Sequence, residues 1–213
     1  LDVSDPAAPW ERGSVPAACS DLAVLGTLAV GVSSSGLRVF DVADPDNPAL
    51  LASRPGNFLS VESYLGRAYV ARWVDAFHTY LDVVDVTSNP VQPGLLTSLP
   101  LVNGFLFGAG ASMAVRDHAL YVDGPDATQT LSLLVVDLDT AAPNVPPAIV
   151  ASLPYAPFGL SAAEVVGDLL YVYSGGLDVL DVTNPLAPAR VASNGAPSTG
   201  FGALGVDGSV LCI

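Results

Sequence analysis

Apolar residues along this chain fall into short runs that end in an aspartate, and the pattern recurs from end to end. The clearest copies are LRVFDV from Leu37, LDVVDV from Leu81 and LDVLDV from Leu177. A longer variant, LLVVDL, begins at Leu133, and a truncated copy, LDVSDP, opens the chain. Short runs rich in Val and Leu that are followed by Asp, Pro, Ser or Asn are typical of β-strands ending in a turn.

The spacing of these runs predicts a radial repeat. The aspartates that end them are separated by 39, 44, 52 and 44 residues, and they are Asp2, Asp41, Asp85, Asp137 and Asp181. A period of about 40 to 45 residues that holds four strands is that of one propeller blade. A parallel β-helix has a shorter turn, and a β-sandwich has no reason to repeat one strand-and-turn signature five times, so both are minor alternatives.

The repeats predict an all-β fold, a single five-bladed β-propeller of four-stranded antiparallel blades. The predicted blades cover approximately residues 21–54, 60–99, 111–153 and 162–193, with the fifth formed by 202–213 together with 1–15. One blade is therefore shared between the N- and C-terminal ends, which closes the array and hides its edge strands. The chain begins in mid-repeat, and we expect it to be a mature piece or an excerpt of a longer protein.

The aspartate that ends each third strand is expected to be a turn residue. Its carboxylate can accept backbone N–H groups, Thr or Ser often stands two residues on, and Pro follows where no donor is needed. Because a residue repeated in every blade serves the scaffold first, catalysis by these aspartates is not expected.

The run L-x-V-x-D-V-[ST]-x-P, preceded by strands such as Ala68–Ala71 and Leu170–Tyr173, resembles the LVIVD-repeat family of bacterial and archaeal proteins. The resemblance extends over essentially the whole chain in weak repeats. It implies a β-propeller, usually in exported or cell-surface proteins, and for most members no established activity. The copy at Leu133 departs from the pattern because Asp139–Pro143 lengthen its turn.

Charge and composition exclude several classes of partner. The formal net charge is −14, and all seven basic residues are Arg, so nucleic acid and anionic membrane surfaces would be repelled. Apolar runs are cut by Gly, Pro, Asp or Ser well before the ~18 residues that a membrane helix needs, which argues against direct membrane insertion. We expect no cofactor. The many aspartates leave Ca²⁺ possible, although no run has EF-hand spacing and plain solubility is the blander explanation.

Two cysteines, Cys19 and Cys212, stand far apart in the sequence, and neither belongs to a C-x-x-C pair. A zinc ribbon and a thioredoxin-type site are therefore excluded. Cys212 could be a small apolar thiol in the core. It could also bond to Cys19 if the shared blade lies against the first one.

The most unusual residues fall in two expanded loops between second and third strands. The first, Arg72–Tyr80, combines aromatic and charged side chains, and its candidate binding residues are Arg72, Trp73, Asp75, Phe77, His78 and Tyr80. The second, Asp123–Ser132, lies at the equivalent place in the next blade and adds Asp123 and Asp126. Exposed aromatics beside an Arg are typical of a binding patch. The alternatives are aromatics that pack the loop onto its blade and a simple Gly-Pro-Asp turn.

These features predict a non-catalytic extracellular or cell-surface module that binds a protein or a carbohydrate or supports an assembly. One alternative is a hydrolase or lyase with its site at the central tunnel mouth. First strands offer Glu62, Arg116 and Glu164 for such chemistry, though not at equivalent positions, and no nucleophile, metal or phosphate motif is present. Another alternative is a fragment of a larger surface-structure propeller. Oligomeric state is left open.

Overall fold

The computed structural model describes residues 2, 4–5, 7–75, 78–103, 112–126, 128, 130–140, 144–154, 162–173, 176–194, 204–207 and 210–212. Regular structure in these residues is β-strand, apart from the short 3-10 helix Leu138–Thr140. Within this part of the chain, no helix is long and apolar enough to cross a membrane.

Sixteen strands form four antiparallel sheets of four strands each, in chain order within each sheet. Sheet 1 contains β1 (Asp21–Leu25), β2 (Leu28–Ser33), β3 (Gly36–Asp41) and β4 (Ala49–Arg54). Sheet 2 contains β5 (Phe58–Tyr64), β6 (Arg67–Asp75), β7 (His78–Asp85) and β8 (Gly94–Asn103). Sheet 3 contains β9 (Met113–Arg116), β10 (Ala119–Pro125), β11 (Leu131–Asp137) and β12 (Ala148–Pro154). Sheet 4 contains β13 (Ala162–Val166), β14 (Leu169–Tyr173), β15 (Leu177–Asp181) and β16 (Ala189–Asn194).

The two ends of the chain carry smaller pieces of strand. Strands β17 (Gly205–Asp207) and β18 (Val210–Cys212) pair as a two-stranded sheet. Near the other end, Asp2 and Trp10 form an isolated antiparallel bridge. The all-β prediction with four-stranded antiparallel sheets is confirmed, and the described strands form four such sheets.

The turn after each third strand follows the predicted chemistry. In all five copies the carboxylate of the terminal aspartate accepts the N–H of the residue two positions on, at 2.8 to 3.0 Å: Asp2 from Ser4, Asp41 from Ala43, Asp85 from Thr87, Asp137 from Asp139 and Asp181 from Thr183. Every four-stranded sheet also has a β-bulge one or two residues before this aspartate. A bulge bends and twists its strand, so each sheet turns in the same way at the same place.

Apolar faces of successive sheets pack against each other. Three buried clusters form the core: the first joins sheets 1 and 2, the second joins sheets 2 and 3, and the third joins sheets 3 and 4. The third strands of sheets 2 and 3 are apolar on both faces because neighbouring sheets cover both. The first strands lie side by side in chain order, β1 with β5, β5 with β9, β9 with β13, and β13 with β17. This is the arrangement of blades whose first strands stand nearest a common axis.

The outer faces of sheets 1 and 4 differ from these covered faces. On sheet 1, Leu22 and Val24 are 55% and 59% exposed. On sheet 4, Tyr171, Leu177 and Val179 are only half-buried, whereas the residues at their positions in sheets 1 to 3 are buried. None of the described four-stranded sheets covers either face.

Candidate binding site on the extended hairpin of sheet 2

The segment Arg72–Tyr80 is mostly strand, so the predicted expanded loop is instead an extended β-hairpin. Strands β6 and β7 have 9 and 8 residues, compared with 5 residues in each of β14 and β15 of sheet 4. Arg72 faces Tyr80, Trp73 faces Thr79, and Asp75 faces His78 across the pair. Aromatic and β-branched side chains favour a pleated strand, which explains why the insertion continues the sheet. Phe77 lies outside the described residues.

A buried ion pair fixes the base of this hairpin. Arg72 Nε and Nη2 donate to the two carboxylate oxygens of Asp82 at 2.5 and 3.0 Å, and Ser98 Oγ donates to Asp82 Oδ1 at 2.7 Å. Asp82 is 1% exposed, and its hydrogen bond raises the pKa of Arg72. The guanidinium also lies over the Tyr80 ring, 5.0 Å from its centroid. The hairpin is therefore tied to the second, third and fourth strands of its own sheet.

The end of the hairpin presents apolar side chains to solvent. Trp73 and Val74 are 40% and 48% exposed, and a β-bulge between Trp73 and Asp75 lets these consecutive residues both escape burial. Beyond them, His78 Nδ1 lies 2.7 Å from a carboxylate oxygen of Asp75, and both side chains are about half exposed. Because Trp73 N–H donates to the Asn57 carbonyl at 2.9 Å, the strand that carries the exposed pair is anchored as well.

The hairpin of sheet 3 lies beside this extension. Strand β8 is 10 residues long and contacts β10, and its Leu101 is buried in the cluster between sheets 2 and 3. A Cβ at Gly124 would lie 2.6 Å from Leu134 Cδ1 of the same sheet and 3.4 Å from the Leu101 carbonyl, so glycine here makes room for the Leu134 side chain. The sequence predicts that the two insertions lie next to each other. The observed contact joins β10 to β8, the strand that pairs with β7 of the extended hairpin.

Asp123 and Asp126 differ in their burial and in their hydrogen bonds. Asp123 is 2% exposed and stands two residues after Tyr121, on the face that packs against sheet 4. Asp126 accepts hydrogen bonds from Thr128 N, Thr128 Oγ1 and Thr130 N at 2.7 to 3.0 Å. These bonds, the Thr128 hydroxyl foremost, lower the pKa of Asp126. Asp126 is thus a turn residue, and among the described residues no three His, Cys, Asp or Glu side chains group as metal ligands.

The first strands carry two carboxylates at equivalent positions, which the sequence did not predict. Glu62 pairs with Tyr69 across its sheet and Glu164 pairs with Tyr171, so the two glutamates share one register position in sheets 2 and 4. Burial, then the charge of Asp21, and to a smaller extent that of Glu164, raise the pKa of Glu62 to about 7. The prediction that Glu62 and Glu164 lie at non-equivalent positions was wrong, because strand pairing and not sequence spacing sets the register.

Arg116, the third residue considered for chemistry at the axis, is engaged elsewhere. Its Nη1 donates to the Gly167 carbonyl and its Nη2 donates to Asp168 at 2.6 Å, which joins the first turns of sheets 3 and 4. A further contact at 3.2 Å joins its Nε to Asp117. Arg116 is therefore a tie between neighbouring sheets.

Four sheets with stacked apolar faces, adjacent first strands and a repeated turn define a β-propeller-like repeat fold. Residues 63–99 and 162–193 match the LVIVD repeat, so the chain carries LVIVD repeats in sheets 2 and 4 and the resemblance drawn from the motif is confirmed. No curated protein matches this sequence.

Solved structures support the same fold. The β-propeller domain of Cps50 (Swd1) from Myceliophteria thermophila is 13% identical with a TM-score of 0.56, over 82% of this chain and 57% of that one. The computationally designed Ika4 protein is 13% identical with a TM-score of 0.52, over 79% of this chain and 93% of that one. The designed Ika8 protein is 12% identical with a TM-score of 0.50, over 91% and 67%. At such identities the likeness concerns the fold alone.

Proposed function

We propose that this protein is a non-catalytic binding or assembly module at the cell surface or outside the cell, with its contact surface at the end of the β6–β7 hairpin. The observation that supports this most is the exposed pair Trp73 and Val74, held out on a strand whose base is locked by Arg72 and Asp82. A rigid aromatic on a fixed scaffold binds with little loss of side-chain entropy.

The proposed partner is a protein or a carbohydrate, and the contact surface consists of Trp73, Val74, Asp75 and His78. Arg72 and Tyr80 support it from below, and Phe77 is assigned to it from the sequence. An aromatic face with an adjacent carboxylate suits both partner classes, since the ring supplies apolar area and the carboxylate accepts hydrogen bonds. Asp126 belongs to the neighbouring turn and Asp123 to the interior, so neither is assigned a direct contact.

Binding of labelled protein to cell-envelope preparations from the source organism tests this function. We expect Trp73→Ser to weaken binding at least tenfold, because a buried aromatic anchor contributes about 2 kcal/mol or more to an interface. Val191→Ser is the matched control, since Val191 is also an exposed apolar strand residue but lies on the outer strand of sheet 4. Equal binding by both variants and the unmodified protein would remove the hairpin from the proposal.

The proposed module is a closed ring in which the two ends of the chain build a fifth blade. Three features support this closure. Strand β17 lies beside β13, as each first strand lies beside the preceding one. The Asp2–Trp10 bridge repeats the Asp41–Ala49 pair that opens the third-to-fourth strand ladder of sheet 1, with the same separation in sequence. Sheets 1 and 4 each have a partly uncovered apolar face where a further blade would fit.

A second candidate function, a hydrolase or lyase with its site at the axis, is favoured by one observation. Glu62 has a pKa of about 7, and Glu164 lies at the same register and contributes to that shift. A carboxyl group with a pKa near neutral is suited to a general acid or base role. Assays with chromogenic esters and glycosides, for the unmodified protein and for Glu62→Gln, test this candidate. A turnover that the substitution abolishes would favour it over the binding module.

A further inference from the structure

Strand register gives Cys212 a defined place in the repeat. In each described hairpin of first and second strands, one residue stands two positions after the pair that closes the turn: Val30, Tyr69, Tyr121 and Tyr171. The β17–β18 hairpin closes with the pair Asp207 and Val210, so Cys212 occupies the same register position.

This register position shares its buried cluster with a second register position in the next sheet. Val30 belongs to the same buried cluster as Val70, Tyr69 to that of Val122, and Tyr121 to that of Val172. Each of these valines stands three positions after the closing pair of its own hairpin, and the residue of sheet 1 at that position is Gly31. A fifth blade built by the same rule therefore sets Cys212 opposite Gly31.

Gly31 leaves room at this point, and Cys19 fills it. A Cβ at position 31 would overlap Cys19 Sγ and approach the Phe40 ring to 3.2 Å, so the sulfur takes the space that valine takes in the other sheets. Cys19 has a free, exposed thiol there, on the face of sheet 1 that no described sheet covers. The Cys19 thiol thus stands where the repeat expects an apolar side chain, and the same rule places Cys212 opposite it.

The backbone around Cys19 is held on both sides. Arg38 Nη1 donates to the Ala18 carbonyl at 2.7 Å, and both the N–H and the hydroxyl of Ser20 donate to the Val32 carbonyl at 2.7 and 3.0 Å. Cys19 precedes the first strand of sheet 1 and yet is fixed over the second strand. A thiol with so little freedom loses little entropy when it bonds.

We propose that Cys19 and Cys212 form a disulfide that joins the shared fifth blade to sheet 1 and locks the ring. The inference rests on the closure proposed above. The Cys19 thiolate attacks the disulfide of an exported thiol–disulfide oxidant and releases one oxidant thiol. The Cys212 thiolate then displaces the second oxidant thiol from the mixed disulfide. The two protein thiols lose two protons and two electrons, and the oxidant gains both as two thiols.

The proposed disulfide would connect residues near opposite ends of the chain. A cross-link over a loop of this length removes much of the entropy of the unfolded chain, and the stabilisation appears as a higher melting temperature. Disulfides persist in exported proteins and are rare in the cytosol, so the bond also agrees with the proposed location.

Thiol counting on the whole chain tests the bond directly. The folded protein is equilibrated with oxidised glutathione, denatured without reductant, alkylated and weighed. We expect no alkylated cysteine, one intramolecular cross-linked peptide containing both residues, and a melting temperature that falls by about 10 °C on reduction. Cys19→Ser and Cys212→Ser should each match the reduced protein in melting temperature and leave one alkylated thiol.

Other outcomes would refute the Cys19–Cys212 disulfide without testing the proposed binding function. Two alkylated thiols after oxidation, or a bond only between two copies of the chain, would refute it. Hydrogen exchange then distinguishes a missing disulfide from an open ring. Protected β17–β18 amides in a protein with two free thiols would be consistent with the closed ring and would exclude only the disulfide. Envelope binding of the Trp73→Ser variant does not depend on this result, because Trp73 lies in sheet 2.

Discussion

Sheets 2 and 4 carry the same repeat, but the buried aspartate of the third strand has different hydrogen-bond partners in the two sheets. Asp82 and Asp178 occupy the same register of the third strand, facing Val70 and Val172. Asp82 is hydrogen-bonded by both Arg72 and Ser98. Asp178 lies 3.3 Å from the well-exposed Arg190, and its buried Oδ1 has no hydrogen-bond partner among the described residues.

The difference shows where the repeat tolerates change. Both sheets keep the turn aspartate, the bulge and the apolar third strand, which set the angle and spacing of the blades. The second hairpin differs between the two sheets, since it is longer in sheet 2. The hydrogen-bond partner of the buried carboxylate differs with it. Regions that do not fix the packing of neighbouring sheets are free to acquire a binding surface.

The largest expected effect comes from removing the buried carboxylate of sheet 2. Asp82→Ala should lower the free energy of unfolding by about 3 kcal/mol or more, because it leaves the Arg72 guanidinium without its partner in a partly buried site. Urea unfolding measures the change. Asp178→Ala is the matched variant, and its loss should be about 1 kcal/mol or less, since its ion pair is solvent-screened. Equal losses would show that the two sheets do not differ in this way.

The pH dependence of stability should also distinguish the two sheets. The folded protein holds the Glu62 proton up to about pH 7, whereas the ordinary carboxyl pKa is 4.5. Folding therefore takes up protons in this window, and stability should fall by about 3 kcal/mol as pH rises through it and then level off. Urea unfolding from pH 4 to 8 measures the curve.

Glu62→Gln should remove most of this fall, because an amide does not titrate. Glu164→Gln is the matched control at the same register of sheet 4, and it should keep the fall because Glu62 still titrates. A curve for the Glu62 variant that parallels the unmodified protein would contradict the burial of this carboxyl as its cause.

Removal of the repeated turn aspartate should have a smaller effect, of the same sign in both sheets. Asp85→Ala removes the acceptor for Thr87 N and Ser88 N, and should cost about 1 kcal/mol. Asp181→Ala removes the acceptor for Thr183 N, and we expect a smaller loss in the same direction. Thermal unfolding of both variants measures the losses. A gain in stability in either sheet would argue against the turn role.

The smallest effect on stability is expected at the hairpin end. Trp73→Ser should change the free energy of unfolding by no more than about 0.5 kcal/mol, because the residue is already partly in water. Val191→Ser should behave alike. A large loss for the Trp73 variant alone would mean that the ring packs the hairpin onto its sheet, as the alternative interpretation of the sequence holds.

The sequence allowed the scaffold to be predicted more fully than the site. Spacing of the turn aspartates gives the four-stranded sheets, and their carboxylates bind the backbone as expected. The extended hairpin was taken for a loop, although the aromatic and β-branched residues from Trp73 to Tyr80 were a signal for strand. Asp82, Ser98 and Leu101 were missed because an ion pair between strands and the packing of β8 on β10 depend on register across sheets, which one sequence does not display.

Hydrogen exchange of a shortened chain is the most direct test of the proposed fifth blade and of the ring closure that depends on it. Deletion of residues 1–10 removes the Asp2–Trp10 bridge, the segment with which the C-terminal strands would pair. We expect the amides of β17 and β18 to lose protection while those of β5 to β8 keep theirs, because only the proposed fifth blade would lose its partner strands. Unchanged exchange in β17 and β18 after the deletion would contradict the closure of the ring by the two ends of the chain.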